Sequence, residues 1–422
     1  MEILALFMVF ALLLITRVPI AFALGISSLT ILMFGDFNLV TVFMRMFSGI
    51  QKETLMAIPG FVFTGIVMSR GGIAVRLIDT MKAWVCHFTG GMALVTVVAT
   101  MFFAAISGSS AATAAAIGSI MIPAMVKNNY SKQYSMGLVA ASGTLGIIIP
   151  PSLNLIIYAS VTGASVGDLF IAGIIPGLLM GGVICVSTII YAKRKGFGQI
   201  TPISWSHRWK VTGNAIWALL LPVLILGTIY SGVVTPTEAS VVSGVYAVLV
   251  SVLIYKEVKF RDIKPILTET IHIVSMIFLI IACAQIFSMF LTINQVPQYA
   301  AQWISEHGLN RWSFLALCSL LFFILGMFLE GSAVTLITIP ILFPIINYLG
   351  IDLVHFGIFF MLNLEISLIT PPVGLNLFVV SGIANERIET AIRGIVPYIF
   401  LMFLVVFIVA VYPGLTLFLT NL

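Results

Sequence analysis

Charge is scarce in this chain: 8% of its 422 residues are Asp, Glu, Lys or Arg, where a soluble domain carries roughly 25%. No packed soluble core needs the accompanying 60% of hydrophobic residues, so the sequence reads as an all-α polytopic membrane protein. Cysteine is scarce too. Cys86, Cys185, Cys283 and Cys318 lie in or beside apolar segments without CxxC spacing, which argues against a disulfide or transition-metal framework. His87, His207, His272, His307 and His355 stand apart, and no HExxH, GxSxG or phosphate-loop signature occurs. The chain therefore reads as neither an enzyme nor its own ATPase. The net charge of +5 reflects basic residues in short loops between apolar runs, a topology signal rather than a nucleic-acid surface. Met1-Glu2 leads straight into an apolar stretch without a basic n-region or a clear cleavage site, so the first helix is expected to be retained.

What is present is a pair of breaks. Gly143-Thr144-Leu145-Gly146 runs through Pro150-Pro151 to Asn154 inside an apolar segment long enough to cross a bilayer, and Thr370-Pro371-Pro372-Val373-Gly374-Leu375-Asn376 repeats it. Pro removes donors and clashes with the preceding turn, so neither segment can run as a smooth helix. Broken backbone at membrane depth is tolerated only where protein or a water-filled cavity satisfies it, and matched breaks point to a transport site. The two Pro-Pro pairs lie 221 positions apart, and the same shift pairs Pro123 with Pro344, Asp168 with Glu389 and Pro176 with Pro397. Each copy also holds a long apolar stretch with a small-residue tip, Ser107-Gly108-Ser109-Ser110 in one and Glu330-Gly331-Ser332 in the other, read as a re-entrant hairpin.

The first span, Ile3 to Met33, reads as one long helix tilted or bent at Pro19; thirty residues reach roughly 45 Å. Thr41–Gln51 and Ile73–Phe88 read as amphipathic, with Leu55–Ser69 crossing between them. Five crossings precede the second copy, so the copies have opposite orientation: inverted repeats with two re-entrant hairpins and two interrupted helices. Following those crossings sorts sixteen of the 20 Lys and Arg residues to the amino-terminal side and Arg45, Lys52 and Arg311 to the other. By the positive-inside rule the amino terminus is cytoplasmic, the first hairpin enters from the cytoplasm and the second from outside.

Exposed carbonyls and hydroxyls at the tips and breaks are hard oxygen donors suited to an alkali cation, and half-helix amino termini suit an anion. One cation site is assigned to Ser107, Gly108, Ser109 and Ser110 with Gly143, Thr144, Gly146 and Pro150. The symmetric one uses Gly326, Glu330, Gly331 and Ser332 with Thr370, Pro371 and Gly374. The competing reading is that these small residues only let helices pack closely. Glu330 and Glu365 are the deepest acids, and a charge at the bilayer centre costs at least roughly 2.5–3.5 kcal/mol, so function is the default. Glu330 would contact substrate or balance a cation, while Glu365 would brace the second break or bind directly. Asn154 and Asn376, just beyond the breaks, would donate to substrate oxygens or to the opposing hairpin. Glu238 in Thr235-Pro236-Thr237-Glu238 suits a helix start.

Several of these segments together resemble the large membrane subunit of tripartite ATP-independent periplasmic (TRAP) transporters. They are Ala57-Ile58-Pro59, Gly108-Ser109-Ser110-Ala111-Ala112-Thr113 running to Gly118, Gly143-Thr144-Leu145-Gly146 running to Pro150-Pro151-Ser152, Thr235-Pro236-Thr237-Glu238-Ala239, and Thr370-Pro371-Pro372-Val373-Gly374. The resemblance spans essentially the whole chain. It implies a sodium-coupled importer of the bacterial inner membrane with an elevator mechanism and an ion-transporter-superfamily-like fold. The partners it implies are a small four-helix membrane subunit and a periplasmic binding protein delivering an organic anion, a carboxylate or a sulfonate. Sodium would be the coupling ion, with no cofactor. Carried onto this chain, the substrate positions are the Ser109 tip, Asn154 and Glu330, where Asn154 and Glu330-Gly331 depart from the Pro and Asp-Pro often found in the family. In that scheme residues 1–88 and 209–292 are scaffold, the latter beginning with a connector helix, and 89–208 and 293–422 are the two transport parts. A stand-alone sodium–anion symporter and an ion channel are the rival readings.

Overall fold

A computed structural model describes residues 2–33, 38–197 and 204–421. Helices α1 (Glu2–Ile15), α2 (Ile20–Met33) and α3 (Leu39–Ile50) lead through a 3-10 turn into α4 (Ala57–Arg70) and α5 (Ile73–Val85). A hairpin of α6 (Gly91–Ser107) and α7 (Ser110–Lys127) follows, then α8 (Lys132–Gly143) with a 3-10 turn over Thr144–Ile147, α9 (Leu153–Thr162) and the long α10 (Val166–Lys195). Next come α11 (Trp205–Tyr230), α12 (Pro236–Leu249) ending in a π turn, α13 (Phe260–Ile293) and α14 (Val296–Glu306). The pattern of hairpin, broken helix and long helix then recurs: α15 (Arg311–Gly326), α16 (Gly331–Tyr348), α17 (Leu353–Ser367), α18 (Leu375–Ala384) and α19 (Ile388–Val411), with a terminal turn α20 (Gly414–Leu417). No strand occurs among the described residues. Among the described residues seven helices are long and apolar enough to cross a membrane, eight if the bent pair over Glu53–Val85 counts as one span.

Side-chain caps start many of these helices, as polar residues that accept from the orphan first-turn N–H groups should. Ser131 caps α8, Ser165 caps α10 and Asp352 caps α17. Glu238 sits in a capping box, its carboxylate accepting from Thr235 N at 2.8 Å.

The first span departs from expectation. It is two helices rather than one long bent one: α1 stops at Ile15, and Arg17 adopts φ 64°. Val18 N closes back on Leu13 O at 3.0 Å, a left-handed helix stop of the kind glycine usually makes. Pro19 then begins the next helix, with Ala23 N bonded to its carbonyl at 3.0 Å. The last long helix ends at Val411, where Pro413 follows.

Loop contacts sort into two ends of the molecule. At one, Arg76 pairs with Glu257, Trp84 Nε1 donates to Thr212, Tyr130 reaches Gly90 O and Lys132 pairs with Glu386. At the other, Lys52 donates to Ser160 O, Thr237 to Glu53 O and Tyr158 to Leu353 O, and His355 meets Thr416. The first end is the one that the crossing count makes basic. Arg70 lies at the α4 terminus facing it.

The two breaks differ in their surroundings. Pro150, Pro151 and Ser152 are buried, whereas Pro372 and Val373 are exposed. Ser152 caps α9 with its hydroxyl; at the equivalent place Gly374 enters α18 with φ 57° and no side-chain cap.

Candidate functional site

The tip of the first hairpin is locked onto the first break. Ser107 ends α6, Gly108 turns the chain with φ 61°, and Ser109 caps α7 by accepting from Ala112 N at 3.5 Å. Gly108 O accepts from Leu153 N at 3.4 Å, the first residue of α9. A methyl group at Gly146 would lie 2.7 Å from Ser109 O, so the two backbones touch where only glycine fits. Ser107 Oγ in turn lies 2.5 Å from Thr113 Oγ1 and 3.2 Å from Ser109 O. Of the first proposed cation set, Ser107, Gly108, Ser109 and Gly146 are therefore brought together. Gly143 packs beside them on Ala114 and Pro150 is buried in the break, but Thr144 turns its hydroxyl onto Ala141 O at 2.8 Å.

The second hairpin approaches the same place from the other repeat. Glu330 caps α16, its carboxylate accepting from Ser332 N at 3.1 Å and from the Ser332 hydroxyl. A methyl group at Gly331 would meet Asn154 Nδ2 at 3.0 Å, so Asn154 of α9 rests against this tip. Ser109, Ser110, Asn154, Glu330 and Ser332 all line one cavity of about 510 Å3. The amino termini of α7, α9 and α16 converge there, three positive dipole ends on one cavity. Glu330 closes the third with its own side-chain carboxyl group. The donor set is oxygen and amide; among the described residues no group of three His, Cys, Asp or Glu stands ready for a metal ion.

A family model described as "Tripartite ATP-independent periplasmic transporter, DctM component" matches residues 7–415. The chain belongs to the TRAP transporter family, as its large membrane component. It is 43% identical over 400 residues to a C4-dicarboxylate TRAP transporter large permease protein of Pseudomonas aeruginosa, covering 94% of each chain. To an isethionate TRAP transporter permease protein of Oleidesulfovibrio alaskensis it is 39% identical, covering 98% of this chain and 65% of that one. Among solved structures, the YdaH transporter of Alcanivorax borkumensis aligns with a TM-score of 0.65 at 15% identity, over 89% of this chain and 87% of that one. That last likeness concerns the fold alone.

The structure of this TRAP permease bears on three further expectations. Asn376 is not on the cavity wall: it is fully buried, and its amide donates to Ser110 Oγ at 2.7 Å and Ala140 O at 3.2 Å. It holds the opposite hairpin, one of the two roles its position allowed. The second cation set is not gathered as the first is. Gly326 is pressed against Ser367 and Glu330 holds Ser332. Thr370, however, donates back to Ile366 O in the last turn of α17 at 2.6 Å, and no hydrogen bond among the described residues joins Thr370, Pro371 or Gly374 to the hairpin tip. Glu365 is buried, and among the described residues neither of its carboxylate oxygens is hydrogen-bonded; of its two expected roles, no hydrogen bond that would brace the break is seen.

Sequence reasoning also missed two wall residues, Arg70 and Glu269, which pair across the cavity towards the basic end. Their separation of 199 positions leaves no local pattern that would have joined them.

Proposed function

We propose that this TRAP permease imports an organic acid across the bacterial inner membrane, driven by sodium, with a small membrane subunit and a periplasmic binding protein that delivers the substrate. The observation that carries the reading is the convergence of three helix amino termini, Ser109, Asn154 and Glu330 on one cavity. N–H groups and dipole ends of that kind suit a carboxylate or sulfonate, and the oxygen-rich contact of Ser107 and Ser109 with Gly146 suits an alkali cation. The relatives named for a C4-dicarboxylate and for isethionate supply one acid of each type. Glu330 would balance a cation or take substrate hydroxyls.

The elevator scheme, with re-entrant hairpins in inverted repeats, draws support from the packing. Helix α12 lies on α4, α13 on α2 and α3, and α11 on α5, which supports grouping residues 1–88 with 209–292. Helix α19 lies on α8 and α18 on α7, which supports grouping 89–208 with 293–422; α5 on α6 and α13 on α16 are the seams between the two groups. In the orientation favoured by the basic residues, the amino terminus is cytoplasmic and the cavity, bordered by Arg70 and Glu269, faces the cytoplasm.

The test is uptake of labelled succinate and isethionate into proteoliposomes holding the permease, its small subunit and its binding protein. Uptake should require a sodium gradient and fall sharply in Ser109→Ala and Asn154→Ala. Undiminished uptake with choline in place of sodium would sink the coupling, and uptake by this chain alone would favour a stand-alone symporter. Voltage-independent conductance without coupling would favour a channel.

A further inference from the structure

The wall of the cavity carries a single basic side chain among the described residues, Arg70, in the last turn of α4. Both its Nε, at 3.2 Å, and its Nη2, at 2.6 Å, donate to one oxygen of Glu269, Oε2, from α13. The pair sits where the cavity runs out towards the basic end, and its side chains are 43% and 45% exposed. Glu330 at the far end of the same cavity is the other charged wall residue.

We propose that Arg70 is an anion-handling residue on the route between the cradle and the basic end, held by Glu269 when no substrate is there and transferred to the acid group of a passing one. The inference rests on the organic-acid reading and extends it. An anion moving along this wall meets two carboxylates and one guanidinium, so its only charge partner is the one Glu269 already holds. Exchange between two such partners is nearly even: an exposed ion pair contributes little, being screened and hydrated. A guanidinium takes a carboxylate or a sulfonate through the same planar fork, so the substrate's acid group can replace Glu269 without reorganising the side chain. Because α4 and α13 belong to the body assigned as scaffold, substrate would meet Arg70 only in the access state seen here. Its influence should therefore be felt from one side of the membrane.

The rival role is a simple tie between α4 and α13, and the two roles predict opposite signs for one variant. The measurement is tracer exchange in proteoliposomes of the complete transporter, with the acid applied at the Arg70 face, using whichever of succinate and isethionate the unaltered transporter carries. Arg70→Gln should raise the half-saturating concentration on that face roughly fivefold, because Glu269 is then left bare to repel the anion, and leave the opposite face unchanged. Glu269→Gln should lower it, because the guanidinium is released; Arg70→Lys should fall between. Gel-filtration profiles check that each variant folds. If both neutral variants raise the value alike, or neither moves it, the proposal is overturned. If the unaltered transporter carries neither acid, the organic-acid reading fails first and takes this inference with it, a result recognisable before any variant is made.

Discussion

Asn376, just past the second break, donates its side-chain amide to Ser110 Oγ at 2.7 Å, at the tip of the first hairpin. The two repeats are thus joined at their functional ends by a buried polar contact. Ala140 O, on α8, is the second acceptor at 3.2 Å. Replacing Asn376 by Leu leaves Ser110 and Ala140 without this donor, and an unmet buried group costs about 1–3 kcal/mol. Thermal unfolding in detergent should show that loss, with uptake reduced in parallel. An unchanged midpoint would mean that the contact is dispensable.

Gly146 and Gly182 offer a matched pair. A methyl group at Gly146 would lie 2.7 Å from the backbone oxygen of Ser109, whereas at Gly182 it would meet nothing within 4 Å. Gly146→Ala should abolish sodium-driven uptake, because the atom in the way is backbone and the cradle itself must move. Gly182→Ala should be silent or slightly stabilising, as alanine is the better helix residue by about 0.5–1 kcal/mol. Equal behaviour of the two in an uptake assay would refute the close fit.

Gly331 and Asn154 should be energetically coupled, since a methyl group at Gly331 would meet Asn154 Nδ2 at 3.0 Å. A double-mutant cycle of Gly331→Ala and Asn154→Ser, read as thermal stability, should give a coupling of about 0.5–3 kcal/mol, with the double variant less damaged than the singles sum to. Additive effects would place the two further apart in the working protein.

Lys52 lies outside the spans, and its ammonium donates to Ser160 O at the carboxyl end of α9. Burial holds its pKa below the usual 10.5. The unfolded chain therefore keeps this proton over a window in which the folded chain has released it, and stability should rise as pH climbs through that window towards 10.5. Lys52→Met should flatten the rise in a thermal-shift series taken through the alkaline range up to 10.5. A series that slopes the same way in both proteins would assign the effect to another group.

Coupling should involve at least two sodium ions. Each charge carried through 100 mV is worth roughly 2.3 kcal/mol, and a monoanion entering cancels one such charge. One sodium ion per monoanion would leave the membrane potential without a hold on transport. Reversal potentials in proteoliposomes give the ratio directly; a value of one would reject this stoichiometry.

Both breaks were legible because Pro-Pro inside an apolar run has few outcomes, and Gly108 and Gly146 announced close backbone approach by composition. The gathering of Ser109, Asn154 and Glu330 was legible from the repeat, which places each beside a tip or break. Asn376 was not, because its spacing fixes its place on α18 but not which neighbour its amide meets. The stop at Arg17 was hidden for a local reason: a left-handed residue before Val18-Pro19 is usually glycine or asparagine, and here the terminating bond to Leu13 holds an arginine in that role. Arg70 read as a loop cation, since Glu269 reaches it only through the packing of α4 on α13.

Helix α5 leaves the preceding helical segment at 67°, directly after Gly71-Gly72, and carries Arg76, Asp79 and Lys82. Sliding α4 along the membrane normal would drag those three charges into hydrocarbon, at roughly 2.5–3.5 kcal/mol apiece on insertion scales. With residues 1–88 as scaffold, as proposed above, the bend would work as a flange that fixes the height of α4, and with it Arg70, against the lipid surface. Whatever travels during a transport cycle would then travel past Arg70, a stationary mark beside the moving cargo.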